Sequence, residues 1–227
     1  NFKRCIMNLI GGFLGNDSSF GRLMTKVGTV IAANVLFAVC SIPFVTIGAA
    51  QKALYHTIFT MINSEDAINP FKTFWQGIRN NFIRTTLCWL AFVGIMMLGS
   101  VDLQVCRQAR GVIRYLSAAI IGVMLIVLVI ALYLFPIMSV YTGKLTEMIK
   151  RSVFFAVNRP LRLIVIILVN MVPLAIYFLD EANRPTYAFI GAFLGFGVIA
   201  LITGKLLNSQ IRKYPENLIL TESKTAI

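Results

Sequence analysis

The chain has 227 residues, of which 58% are hydrophobic and 13% are charged, and its formal net charge is +12. Soluble domains carry about 25% charged residues, so this composition excludes a soluble enzyme or a soluble binding module. The 21 lysines and arginines flank apolar runs instead of clustering on a polar domain, which argues against a nucleic-acid-binding protein.

Five apolar runs predict membrane-spanning helices. Each coincides with a stretch of 17 to 29 residues that has no charged side chain and is bounded by charged residues. A helix needs about 20 such residues to cross a hydrocarbon core of about 30 Å. The predicted spans cover residues 27–47, 84–102, 115–137, 163–179 and 187–205. The expected fold class is therefore all-α, a polytopic helical membrane protein with a single integral membrane domain over residues 1–227.

Residues 48–62 allow two topologies for the first third of the chain. If they form a short sixth span, the N-terminus lies inside together with most of the basic residues, as the positive-inside rule requires. A crossing would, however, place Gln51, Lys52 and His56 in the membrane, where a charge costs about 2.5–3.5 kcal/mol. We expect five full spans plus amphipathic surface helices, with the N-terminus outside and His56 solvated or interfacial.

The segment 70–84 is expected to form an amphipathic helix beside a span. Pro70 can begin a helix, and the apolar residues that follow recur at intervals of three and four, which predicts a single apolar face. That face comprises Phe71, Phe74, Trp75, Ile78 and Phe82. Two interpretations stay open. The helix either lies among lipid headgroups or docks a cytoplasmic partner, in which case the candidate residues are Phe71, Lys72, Phe74, Trp75 and Arg79.

Charge orients the later spans. Residues 138–162 are strongly basic and are expected in the cytoplasm, whereas the loop 180–186 carries Asp180 and Glu181 and is expected outside. The C-terminus is then cytoplasmic. The loop 103–114 is expected outside although it carries three arginines, which violates the same rule.

A weak internal repeat relates residues 27–102 to residues 115–179. Residues 71–84 can be laid over residues 149–162, and this alignment pairs Lys72 with Lys150, Asn80 with Asn158 and Arg84 with Arg162. Both parts then consist of a span, a proline near the membrane edge, an amphipathic helix and a second span, and membrane proteins are often built from such repeats. Chance similarity between two basic segments is the alternative.

Several residues within or beside the spans are candidates for helix packing. Asn34 and Asn170 can form interhelical hydrogen bonds. Gly191 with Gly195, together with Gly197, gives a small-xxx-small face for another helix of this chain or of a partner. Pro43, like Pro136 and Pro173, lies near a span end and is expected to shape or stop a helix.

No group of residues predicts catalysis. His56 is the only histidine, the four cysteines lack metal-binding spacing, and the span interiors contain no acidic residue that could relay protons. We therefore expect no catalytic residue, no metal site, no cofactor and no enzymatic activity.

The first third of the chain carries an ordered series of motifs. They are Asn34-Val-Leu-Phe, Ser41-Ile-Pro-Phe-Val-Thr-Ile-Gly-Ala-Ala, Ala53-Leu-Tyr, Phe71-Lys-Thr-Phe-Trp and Asn80-Asn-Phe. Over roughly residues 20–90 this order resembles the YesL-like family of bacterial integral membrane proteins. The resemblance implies an all-helical protein of the bacterial cytoplasmic membrane, encoded beside carbohydrate ABC importers, with no established enzymatic activity and no known site residues.

The function expected from this resemblance is that of an accessory membrane subunit in carbohydrate uptake. Its partners would be the permease subunits of an ABC-type importer or a second copy of itself, and any contact with a sugar or oligosaccharide would be indirect. A stand-alone transporter or channel for small solutes is the alternative, although Asn34, Asn170 and a few Ser and Thr are the only polar groups that the spans offer. A membrane enzyme acting on lipid or glycan is a third hypothesis, which the lack of a carboxylate pair opposes.

Overall fold

The computed structural model describes residues 19–64, 66–108, 113–141 and 143–212, and the regular structure in these ranges is helical. The α-helices are, in chain order, α1 (Ser19–Cys40), α2 (Ile47–Asn63), α3 (Pro70–Arg79), α4 (Phe82–Gln108), α5 (Ile113–Val140), α6 (Leu145–Asn158), α7 (Pro160–Leu179), α8 (Arg184–Ile190) and α9 (Phe196–Ile211). A 3₁₀ turn, Phe44–Thr46, precedes α2, and a π-helical turn, Gly191–Gly195, joins α8 to α9.

Five helical segments of the described chain are long and apolar enough to cross a membrane, which confirms the predicted all-α polytopic class. They are Gly21–Cys40, Phe82–Cys106, Leu116–Val140, Pro160–Leu179 and Arg184–Ile211. The first segment ends at Cys40 instead of residue 47 because the chain turns before Pro43, and a residue that precedes proline is disfavoured in a helix.

The helix α2 lies at the centre of the bundle, where it contacts α1, α3, α4, α5 and α9. This placement differs from the surface location expected for residues 48–62. Small residues permit the close packing, since a Cβ on Gly48 would collide with the Cβ of Trp89, and one on Gly77 would lie 2.9 Å from the Cα of Ala53. With 17 residues, α2 is about 25 Å long and is not one of the five segments above.

The contacts of α2 also give its direction. Its residues Ile58 and Asn63 lie beside Gly204 and Asn208 respectively, so α2 runs parallel to α9. A six-residue connection joins α1 to α2 and the two helices pack together, which makes them antiparallel. The start of α1 and the end of α9 therefore lie toward the same end of the bundle.

We call this the basic end. Here α7 begins beside the end of α9, because Arg162 donates to Ser209 Oγ at 2.5 Å. The arginines at this end include Arg162 and Arg212, which contact Leu206 and Asn63. The start of α4 lies beside the end of α5, because Arg84 donates a hydrogen bond to the carbonyl of Gly143.

The three prolines near span ends differ in what they do to their helices. Pro43 lies in the turn after α1, as a proline that stops a helix would. Pro136 and Pro173 lie inside α5 and α7, which continue to Val140 and Leu179. Neither of these two prolines ends its helix.

Candidate functional site

The helix α3 is held in a defined position against α1 and α2. Pro70 takes the first turn, and the Asn69 side chain accepts hydrogen bonds from the backbone N–H groups of Phe71 and Lys72 at 3.1 and 3.3 Å. This is the N-terminal cap that stabilises helix starts. Thr73, Phe74 and Gly77 form the stripe that is buried against the bundle, where α3 contacts α1 and α2.

The aromatic residues of α3 lie on two faces, not on the single face that their spacing predicted. Phe74 is 1% exposed and belongs to the core, whereas Phe71 is 64% exposed and Trp75 is 58% exposed. Residues 74 and 75 lie about 100° apart around a helix, so a narrow contact with α2 buries one and leaves the other outside. Phe74 is therefore unavailable to a partner, and we name Phe71 and Trp75 the aromatic surface.

The remaining candidates of this segment also divide. Lys72 and Arg79 are exposed. Ile78 packs partly buried against the core, and Phe82 belongs to the next helix. The exposed surface of α3 thus combines two aromatic rings with two cationic side chains.

Polar side chains occupy the interior next to α3. Lys52 is 2% exposed, and its ammonium donates a hydrogen bond to the carbonyl of Asn80, just past the end of α3. A cation is favourable at a helix C-terminus because the last carbonyls carry partial negative charge. His56 is half-buried, with Nδ1 at 3.2 Å from the carbonyl of Ser139, so of the two predicted environments the fully solvated one does not apply.

Further polar groups near α2 are buried without a hydrogen-bond partner among the described residues. They are the Tyr133 hydroxyl and both polar atoms of the Gln210 side chain. Tyr133 is fully buried and Gln210 is 2% exposed. Arg151 is buried as well, and its guanidinium lies 4.2 Å from the centre of the Tyr141 ring, in cation–π contact.

Asn34 joins α1 to the last span at the π-helical turn. Its Nδ2 donates to the carbonyl of Gly191 at 3.2 Å, and its Oδ1 accepts from the backbone N–H of Gly197. A π-helical turn adds a residue and leaves backbone groups that need partners outside the regular helical pattern. Gly197 permits this contact, since a Cβ there would lie 3.0 Å from Val30 Cγ1.

The other packing candidates have weaker contacts. Asn170 donates mainly within its own helix, to the carbonyl of Ile166 at 2.8 Å, and lies 3.4 Å from Thr203 Oγ1. The nearest atoms to a Cβ on Gly191 or Gly195 belong to the same helical segment, at 3.7 Å. Gly197, the third glycine of the predicted small-residue face, is the one whose Cβ position lies against Val30 and Asn34 of α1.

The opposite end of the bundle carries acidic groups. Asp180 accepts hydrogen bonds from Asn183 Nδ2 at 2.9 Å and from the Tyr187 hydroxyl at 2.8 Å, and these bonds lower the pKa of the Asp180 carboxyl. Glu181 forms an ion pair with Arg184 at 2.8 Å. In the part of the chain that the structure describes, no three His, Cys, Asp or Glu side chains come together as metal ligands.

The first third of the described chain, including α3, is similar to a known protein family. Residues 30–103, which are 74 of the 227 residues, match a family described as "Protein of unknown function, DUF624". The match runs from α1 through most of α4 and so includes α2, α3 and the aromatic surface. No curated protein and no solved structure matches the chain.

Proposed function

We propose that the chain is an accessory integral membrane subunit associated with carbohydrate uptake, and that it binds a permease subunit of an ABC-type sugar importer through the aromatic surface of α3. The class of partner comes from the resemblance of residues 20–90 to the YesL-like family. The contact surface comes from the geometry of α3. The chain would be a multi-pass protein of the bacterial cytoplasmic membrane with a cytoplasmic C-terminus, because basic residues gather where α9 ends.

The observation that carries this proposal is the division of α3 into a fixed face and an exposed face. Packing of Phe74 and capping by Asn69 hold the helix in place. Phe71 and Trp75 therefore present large rigid rings that lose little conformational entropy on binding. Buried aromatic residues of this kind dominate the binding energy of protein interfaces. The competing interpretation is that the two rings only contact lipid headgroups.

Purification from native membranes tests the proposal. We expect a tagged chain to recover permease subunits, identified by mass spectrometry, and the double variant F71A/W75A to recover at least about tenfold less. The matched control is F178A/F189A, since Phe178 and Phe189 are 63% and 64% exposed but lie outside α3. Recovery of the wild-type chain alone, or equal loss in both double variants, would overturn the proposal.

A second function, a transporter for small solutes, has one structural observation in its favour. Lys52, Tyr133 and Gln210 place polar groups in the interior of the bundle, where a solute pathway would need them. Flux of a panel of sugars into liposomes that contain the purified chain tests this candidate. The absence of flux across the panel would remove it.

A further inference from the structure

A groove of about 770 Å³ lies beside the junction between α3 and α4. Its lining includes Arg79, Arg84, Leu87, Ala91 and Leu145. The groove begins at the first turn of α4, which is the start of the spanning segment Phe82–Cys106. It therefore lies at the level where a membrane helix meets lipid headgroups. We propose that this groove binds one anionic phospholipid, with the phosphate on the two arginines and an acyl chain along α4.

The charge of the groove favours an anion. Arg79 ends α3 and Arg84 lies in the first turn of α4, so two guanidinium groups flank the break between the helices, and no acidic residue lines the groove. Glu147 lies two residues past Leu145, and its Oε2 would be 3.1 Å from a Cβ on Gly143. Arginine binds phosphate well because its planar donors match the phosphate oxygens.

The break between α3 and α4 sets the position of both arginines. Asn81 has a positive φ of 54°, a conformation that asparagine tolerates better than most residues. Lys52 holds the Asn80 carbonyl, and Arg84 is itself held by its hydrogen bond to the Gly143 carbonyl. Arg79, in contrast, is exposed at the end of α3. The groove thus offers one oriented guanidinium and one that can move toward a ligand.

The apolar side of the groove argues for a lipid instead of a free phosphate. Ile83, Leu87 and Ala91 follow one another at four-residue intervals and form a stripe down α4. Ile83 is 73% exposed and Leu87 is 60% exposed. Because α4 is a spanning segment, this stripe continues the groove toward the bilayer core. A small anion would leave the stripe uncovered, whereas a phospholipid fills both parts. Basic pockets between membrane helices are known to hold anionic headgroups.

Native mass spectrometry of the full chain, released from phosphatidylcholine nanodiscs that contain a minority of phosphatidylglycerol, tests this site. We expect the wild-type chain to retain one phosphatidylglycerol in preference to phosphatidylcholine. The variant R79Q/R84Q should retain roughly tenfold less, since it loses two cationic contacts with the lipid. The control R22Q/K150Q removes the same charge from exposed positions outside the groove and should retain as much as the wild type.

A second variant tests the apolar part without changing charge. A91W fills the groove below the arginines and should also lower retention of phosphatidylglycerol, whereas A119W, at an exposed position of α5, should not. Equal loss of phosphatidylglycerol in R79Q/R84Q and R22Q/K150Q would show a general attraction to basic side chains and would overturn the proposal. Full displacement of the lipid by glycerol phosphate would show that the headgroup alone is bound, which also contradicts it. The site does not depend on partner binding by α3, so either proposal can fail alone.

Discussion

Asn34 shows how one residue links two distant parts of the chain. The sequence marked Asn34 and Asn170 equally as polar groups within spans, and only the structure separates them. Asn34 bonds to two backbone groups at a π-helical turn 157 and 163 residues away, while the shortest bond of Asn170 stays within its own helix. A hydrogen bond to a buried backbone donor that would otherwise lack a partner contributes more to stability than a side-chain bond to a carbonyl of the same helix.

We predict that N34L lowers stability more than N170L. The first substitution removes both bonds and leaves the buried N–H of Gly197 without its acceptor, at a cost of roughly 1–3 kcal/mol. The second should cost about 0.6 kcal/mol or less. Thermal unfolding of the purified variants in detergent measures the difference. A larger loss for N170L would contradict the role assigned to Asn34.

Lys52 shows why the side-chain charge misled the prediction for residues 48–62. Exposure of a lysine to hydrocarbon is costly, and that cost argued for a surface location. The structure instead surrounds Lys52 with protein and gives its ammonium the carbonyl of Asn80 as an acceptor. The Lys52 ammonium therefore links α2 to the α3–α4 junction through a hydrogen bond. Here a lysine belongs to a central helix instead of a peripheral one.

At the scale of the element, α3 was predicted correctly as a helix that begins at Pro70, but its apolar face was assigned too broadly. Spacing of three and four residues marks a wide stripe, and it does not tell which half of the stripe meets the bundle. That choice depends on α2, whose small residues let Gly77 approach Ala53. Phe74 then faces inward, and Phe71 and Trp75 face outward.

This division predicts opposite effects of two neighbouring substitutions. F74A removes a buried ring and should destabilise the protein by about 3–5 kcal/mol, whereas W75A removes an exposed ring and should leave stability within about 0.5 kcal/mol. Thermal unfolding in detergent and the yield of monodisperse protein measure both. Comparable destabilisation by the two changes would mean that Trp75 is packed, and it would weaken the proposed docking surface.

The two segments of the proposed repeat have similar arrangements of helices. The alignment of residues 71–84 with residues 149–162 pairs Asn80 with Asn158, and both residues lie where an amphipathic helix gives way to a spanning helix. The two breaks differ in chemistry, since a positive φ at Asn81 forms one and Pro160 begins the helix after the other. An evolutionary repeat stays a hypothesis, but the two segments have the same local architecture.

At the scale of the whole molecule, the direction of α1 bears on the side of the N-terminus. Because α1 is antiparallel to α2 and α2 is parallel to α9, the start of α1 shares the basic end with the end of α9. The first third of the chain therefore goes into the bundle with α1 and returns with α2. This arrangement favours the alternative in which the N-terminus lies on the same side as the C-terminus, and not the five-span topology with the N-terminus outside.

Labelling of single cysteines tests this topology. In a variant without the native cysteines, we expect R22C, S64C and S209C to react with an impermeant maleimide from one side of the membrane, and N183C from the other. Inverted and right-side-out vesicles give the two measurements. Reaction of R22C from the same side as N183C would restore the topology with the N-terminus outside.

Membrane residence, the five spanning helices and the start of α3 could be predicted from the sequence, because these depend on local length, hydropathy and capping. The sequence also located the aromatic residues of α3 but not their two faces. The central position of α2, the burial of Phe74, the attachment of Asn34 to the π-helical turn and the groove beside Arg79 and Arg84 could not be predicted in this way. Each of these depends on contacts between residues that are distant in the chain, and a membrane helix can meet lipid or protein with the same apolar side chains. Hydropathy therefore identified the helices, and only close packing at small residues such as Gly48 and Gly77 determined how they are arranged.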